Sequence, residues 1–315
     1  MKRFINRTGL LMAFAAMSIF STPALGQSTR DEIVVSGARF TNSLFEHWIA
    51  EYKKLHQDAN FRIENKGSAE YSIADITIHG HKLDKSKIEK DREYISIAKY
   101  AIVPVANAQS PFAEAYGEKG LGREELKQAF FYDPIGQGEK VTLKVPFNVY
   151  TRVQQAPSPT AFAANFGYNQ QDIHGRAIAG ADIHLITSVL RDPQGITYAP
   201  LALIYSPETG KPIENLKVIP VDFDDNGRVS ESERFYDDLT TVLKNLKGSR
   251  SKNIPVVDIQ VSILKENPKP ETVQFLQWIL EKGQDSLEQH GYLKPDIKIL
   301  EKDRALLSQL VTKRF

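Results

Sequence analysis

From Glu32 onward, short runs rich in β-branched and aromatic residues alternate with stretches in which apolar residues recur every three or four positions. This predicts strands interleaved with amphipathic helices, the pattern of an α/β protein with largely parallel sheets. Residues 33–36 read as a first strand, broken by Gly37, and Ser43-Leu44-Phe45-Glu46 has the Ser-x-x-Glu form of a capping box opening a helix. Leu44, Phe45, Trp48, Ile49, Tyr52 and Leu55 then repeat at helical spacing, predicting a buried face opposite Glu51, Lys53 and Lys54. Residues 61–64 read as a second strand, the turn 65–68 and a short helix follow, and 74–78 read as a third strand. A charged helix over 84–91 leads to a buried strand over 94–105, in which Pro104 is expected at an end or a bend because it cannot donate to a ladder. Beyond it, the pattern predicts a helix over 123–130, a strand over 141–150, and helices starting near Ser158 and Asp182. Strands over 195–205, 216–221 and 259–264, a helix over 234–246 and a last strong helix over 270–290 complete the reading, with no internal repeat.

The first thirty residues stand outside this alternation. Lys2, Arg3 and Arg7 precede an uncharged apolar run over 9–20, and Ala24-Leu25-Gly26 offers small residues where a signal peptidase reads. Residues 1–26 are therefore expected to be a cleaved signal peptide, the apolar run being short of the roughly 20 residues a spanning helix needs. With no cysteine to carry a lipid and no other apolar stretch of spanning length, the expected product is periplasmic and not inserted in a membrane. A chain without disulfides has to stabilise itself through its core, and the roughly 290 remaining residues suffice for two domains. The formal charge of +1 falls to about −2 once the three basic leader residues are removed, so no basic field recommends nucleic acid as a partner.

Asp222-Phe223-Asp224-Asp225-Asn226-Gly227-Arg228-Val229-Ser230-Glu231-Ser232-Glu233 matches the twelve-residue calcium loop at every specified position. Calcium takes six to eight oxygens, so Asp222, Asp224 and Asn226 are expected to offer side-chain oxygens and Arg228 its carbonyl. Ser230 stands where a ligand often acts through water, Glu233 is expected to close the cage in bidentate fashion, and Gly227 to make the sharp turn. A lone loop of this kind fits a structural Ca2+ clamp better than a sensor, since sensors switch by opening a helix pair.

Several turns share one device, a strand end followed by a small or hydroxyl residue and a helix start, where free N–H groups and the helix dipole suit an anion. The candidates are residues 37–43 (Gly37, Ala38, Arg39 and Thr41), 67–72 (Gly67 and Ser68) and 158–161 (Ser158 and Thr160). Taken in order, these turns resemble the phosphate-binding component of ABC importers, in particular a branch with a calcium loop in its second half. Ser36-Gly37-Ala38, Lys66-Gly67-Ser68, Ala74-Asp75-Ile76, Ala101-Ile102-Val103-Pro104-Val105 and Tyr150-Thr151-Arg152 carry the resemblance, with Asp192-Pro193-Gln194-Gly195-Ile196-Thr197-Tyr198, Phe235-Tyr236-Asp237, Gly283-Gln284 and Gly291-Tyr292. It implies a two-lobed periplasmic-binding-protein-like fold of type II, each lobe a largely parallel sheet flanked by helices, with the ligand cleft between the lobes. Residues 31–106 with 235–315 would form one lobe, and 107–234, including the calcium loop, the other. It further implies a monomer that captures a small oxyanion, phosphate first, for a membrane ABC permease.

By the same resemblance, Asp75 would accept a hydrogen bond from a protonated anion, which admits phosphate and repels sulfate. Arg152 would supply a guanidinium fork. The sequence departs from the family at His79-Gly80-His81, where Ser-Arg is usual, so that His81 would stand in place of an arginine, and at Ser158-Pro159-Thr160, where Ser-Gly-Thr is frequent. Two other readings stay open: a drifted pocket for a larger anionic solute or a protein partner, and an exported calcium-dependent hydrolase. Against the latter, the chain has no Gly-x-Ser-x-Gly, no His-Glu-x-x-His and no cysteine, and it is not expected to be an enzyme.

Overall fold

A computed structural model describes residues 32–64, 74–131, 143–248 and 251–312; the leader 1–26 and the turn holding Gly67 and Ser68 lie outside them. The strands are β1 (Ile33–Gly37), β2 (Phe61–Glu64), β3 (Ile76–His79), β4 (Arg92–Asn107), β5 (Asn148–Arg152), β6 (Arg176–Ile178), β7 (Gly195–Pro200), β8 (Leu216–Val218) and β9 (Val256–Leu264). The helices are α1 (Asn42–Lys53), α2 (Pro111–Tyr116), α3 (Arg123–Phe130), α4 (Pro157–Asn165), α5 (Asp182–Arg191), α6 (Leu239–Leu246), α7 (Pro270–Glu281) and α8 (Ile297–Thr312).

Hydrogen bonding links the strands in the order β2-β1-β3-β9-β4-β7-β5-β6, with β8 also on β4. At the outer ends the pairing is parallel, β1 with β2 and β3, and β5 with β6 and β7, as strand-helix alternation requires. The middle is antiparallel and rests on β4. Its first part, Arg92 to Ala101, pairs with β9, whereas Ile102 to Ala106 pair with β7. One strand thus runs through both groups, and the partner changes between Ala101 and Ile102, where Ile102 N–H donates to Pro255 O just before β9 begins.

Local differences from the sequence reading have local causes. No capping box forms at Ser43: a 3₁₀ turn, Arg39–Thr41, leads into α1, which places Ser43 exposed inside its first turn. Leu44, Phe45, Trp48 and Tyr52 are buried as predicted, but α1 ends at Lys53, so Leu55 leaves the apolar face and is 72% exposed. The charged segment 84–91 forms only a 3₁₀ turn, Lys85–Lys87. Pro104 lies inside β4, opposite Tyr198, with its carbonyl accepting from Ile219 N–H. The residue after it, Val105, begins the pairing with β8, so the missing N–H falls where that ladder stops. The strand expected over 141–150 starts at Asn148, the helix expected from 234 starts at Leu239, and α7 stops at Glu281.

The sequence reading missed α8. It buries Leu300, Leu307 and Asp303, whose carboxylate accepts from Ser96 N–H at 2.8 Å. Ser96 sits at the register shift between β4 and β9, so Asp303 bonds a donor beside that break.

Candidate functional site

The turn after β1 is built by its small residues. Gly37 has φ +131°, and a Cβ there would lie 2.2 Å from Ile78 O, so only glycine lets β1 and β3 approach this closely. Ala38 N–H donates to Ile78 O at 3.1 Å, and Thr41 donates to Ala38 O through both its N–H, at 3.0 Å, and its hydroxyl, at 2.7 Å. These donors are used up inside the turn. Arg39 reaches out instead: its Nη2 donates at 2.6 Å to the carbonyl of Gly180, which precedes α5 in the other group of strands.

The two groups also touch where β3 ends. A Cβ on Gly80 would stand 3.0 Å from the Phe40 ring and 3.0 Å from Pro157 Cβ, the first residue of α4. Tyr100 donates its hydroxyl to Gly80 O and packs its ring against Phe40, while Tyr292 donates to Phe40 O. One residue beyond this contact on each side stand His81 and Ser158. Arg152, at the C-terminal end of β5, donates to Asp182 at 2.9 Å, and both side chains are almost wholly buried.

Three buried polar atoms in this region have no hydrogen-bond partner among the described residues: His81 Nδ1, Arg152 Nε and Ser158 Oγ. They come from three separate elements. Leaving such an atom without a partner costs about 1–3 kcal/mol, more where charge is involved, so three together call for an account. The start of α4 sharpens the point. Pro157 and Pro159 carry no N–H and Thr160 N–H goes to Ala156 O, so Ser158 carries the donor capacity of that turn.

The charge balance follows from the pairs. Arg152 and Asp182 neutralise each other and, among the described residues, Arg39 bonds to a carbonyl and to no carboxylate, which leaves about one positive charge at the contact. Burial, followed by the charge of Lys87 and against the pull of Asp84, holds the His81 imidazole below its usual value and therefore neutral. His79 is pushed down to about 4, mainly by burial and then by His81 and Arg92, and its Nε2 meets Ser262 Oγ at 2.9 Å. Burial, with the negative charge of Asp182 after it, pushes the Tyr100 hydroxyl up, so it stays a donor. The arrangement can hold a small anion by several directed donors, with one fixed carboxylate among them.

Of the residues singled out by sequence, the structure brings Arg39, His81, Arg152 and Ser158 to this contact; Gly37, Ala38 and Thr41 shape the turn beside it. Asp75 lies elsewhere. It precedes β3, at the opposite end of the parallel strands from Gly37 and Gly80, and its carboxylate accepts from Val34 N–H at 2.8 Å and Lys269 Nζ at 2.9 Å. Thr160 is also turned away, its hydroxyl donating to Gln170. Asp182 went unnoticed as a site residue because its position reads only as a helix start, thirty residues after Arg152.

The acidic loop takes a closed shape. Oxygens of Asp222, Asp224 and Glu233 lie within 4.8 Å of one another. Asp222 accepts from the N–H groups of Asn226 and Gly227, Arg228 N–H donates to Asn226 Oδ1, and Gly227 makes its turn at φ +93°. Burial works to raise the Glu233 carboxyl, but hydrogen bonds from the Ser230 N–H and hydroxyl, and from the N–H groups of Asp224 and Phe223, outweigh it and hold it low. The donor set, all oxygen with clustered carboxylates, is of the kind that suits a hard cation.

No protein-family model matches the chain, and no curated protein matches it in sequence. Solved structures do match in shape. A structure from Clostridium perfringens, described as a phosphate ABC transporter substrate-binding protein with bound phosphate, superposes with a TM-score of 0.63 at 16% identity, over 84% of this chain and 100% of that one. An ABC-type phosphate transport receptor from Vibrio cholerae gives 0.58 at 16% identity, over 84% and 100%. A structure from Planctomyces limnophilus described as a phosphate-binding protein gives 0.54 at 13% identity, over 89% and 98%. The chain therefore has the two-lobed, mixed α/β fold of the type II periplasmic binding proteins.

Proposed function

We propose that the chain is an exported solute-binding protein that captures a small oxyanion, phosphate first, between its two lobes and delivers it to an ABC permease. The observation that carries this is a set of three buried atoms without a hydrogen-bond partner among the described residues: His81 Nδ1 and Ser158 Oγ, each one residue beyond the Gly80–Pro157 contact that joins the two groups of strands, and Arg152 Nε, whose guanidinium pairs with Asp182. Arg39 bridges the same two groups. An oxyanion entering there would accept from all of them and turn three costly buried atoms into hydrogen-bonded ones. The likeness of the fold to the receptors described above supports the reading, since the Clostridium perfringens structure holds bound phosphate. Among the described residues no helix is long and apolar enough to cross a membrane.

The acidic loop belongs to the same proposal as a structural Ca2+ site. Asp222, Asp224, Asn226, Glu233, the carbonyl of Arg228 and Ser230 would hold the ion, whose role is to neutralise carboxylates that otherwise crowd one another. Equilibrium dialysis with labelled phosphate, with sulfate and arsenate as competitors, tests the binding role. Saturable phosphate binding that excess sulfate does not displace is expected; absence of saturable binding by any of the three anions would end the proposal.

A further inference from the structure

Resting on the anion-binding reading, we propose that His81 couples capture to protons: the imidazole takes up a proton as the anion enters, so that binding strengthens as the pH falls.

The geometry gives this residue its importance. His81 follows Gly80, whose α-carbon packs against Pro157 across the lobe contact, and its Nδ1 is buried without a partner among the described residues. A neutral imidazole offers one nitrogen as donor and the other as acceptor, whereas imidazolium donates from both. An oxyanion oxygen accepts, so Nδ1 can serve it only while carrying a proton, and serves it best when the ring is charged.

The surroundings decide when that charge is tolerated. His79 stands two residues earlier, at the end of β3, with Arg92 of β4 acting on it, and Lys87 and Asp84 come from the segment between β3 and β4. Across the contact, Arg152 and Asp182 cancel, and Arg39 adds a positive charge. Apart from Asp84, every one of these groups either opposes a proton on His81 or leaves it unaided, and burial opposes it most. A bound anion reverses the balance by placing negative charge in a low-dielectric site. By linkage, whatever the anion adds to the ring's proton affinity, the proton adds to the affinity for the anion. An arginine at this position would be charged at every pH and would carry no such coupling.

The test is calorimetric titration of phosphate into the parent, His81→Gln and His81→Arg across the mildly acidic to mildly basic range. Phosphate's own ionisation and His79 are common to all three proteins, so the ratio of parent to His81→Gln affinity isolates the ring. That ratio is expected to rise as the pH falls, by up to about tenfold per pH unit for a single proton, and to level off at high pH. His81→Arg is expected to show no such slope relative to His81→Gln. In the parent, without any substitution, the NMR titration midpoint of the His81 ring is expected to move to higher pH when phosphate is added. Phosphate binding with the same pH dependence in parent and His81→Gln, or an unmoved midpoint, would overturn the role of His81 and leave the anion site standing. A parent that binds no phosphate at any pH would overturn both.

Discussion

Replacing Ser158 by alanine removes one buried oxygen from the first turn of α4 and tests the site in two measurements whose signs oppose each other. Ser158 is fully buried, and its hydroxyl has no partner among the described residues. A hydroxyl taken out of water without a hydrogen bond costs about 1–3 kcal/mol, so the ligand-free alanine variant should be no less stable than the parent and up to ~1–2 kcal/mol more stable, the small void offsetting part of the gain. Binding should move the other way. A hydrogen bond to a charged partner is worth about 1.5–3 kcal/mol, which corresponds to a phosphate affinity weaker by roughly ten- to a hundredfold. Urea unfolding followed through the buried Trp48, whose Nε1 is bonded to Gly283 O, gives the first quantity, and calorimetry gives the second. At a phosphate concentration about a hundred times the parent's Kd the parent gains about 2.7 kcal/mol and the variant only about 0.4–1.4, so phosphate should offset the variant's advantage or reverse the order of the two proteins. A variant that is less stable than the parent without ligand yet binds phosphate equally well would show that the hydroxyl holds the fold together, and the site would have to be sought elsewhere.

Asp75→Ala should do the converse. Losing the carboxylate leaves the Val34 N–H without its acceptor and Lys269 without its ion pair, a loss of about 1–2 kcal/mol in urea unfolding, while phosphate affinity stays within about twofold; a collapse of affinity with stability intact would put Asp75 back in the site. Stripping divalent ions from the protein with a chelator should lower Tm by about 2–4 °C for each kcal/mol of lost binding free energy, with recovery on adding Ca2+ and none in Glu233→Gln. Neither heat nor a rise in Tm on titrating Ca2+ into the stripped protein would remove the calcium site.

What was legible in the sequence was whatever depends on neighbours along the chain. The outline of the strand-helix alternation, the buried face of α1 and the span of α3 follow from apolar spacing, which burial enforces locally. The closed shape of the twelve-residue acidic loop is legible for the same reason, since its clustered carboxylates come from one short stretch of chain. Where a local signal competed with tertiary packing it misled: the Ser43 capping box lost to the 3₁₀ turn at Arg39–Thr41, and the charged pattern of α8 hid a helix that packs by Leu300 and Leu307.

The site was decided by contacts between residues far apart in sequence. Arg39 and Gly180 are 141 positions apart and Arg152 and Asp182 thirty, and no periodicity announces either pair. Asp75 shows the limit most plainly: its place at the start of β3 was foreseeable, but its distance from Gly37 depends on the parallel register that sets Ile76 against Val35 and Ile78 against Gly37. Hydrophobic spacing announced the buried face of α1 up to Tyr52, but not its end before Leu55 nor the buried face of α8. Only the folded chain, by matching strand ends and setting α4 against Gly80, decided which buried polar atoms were left without partners among the described residues.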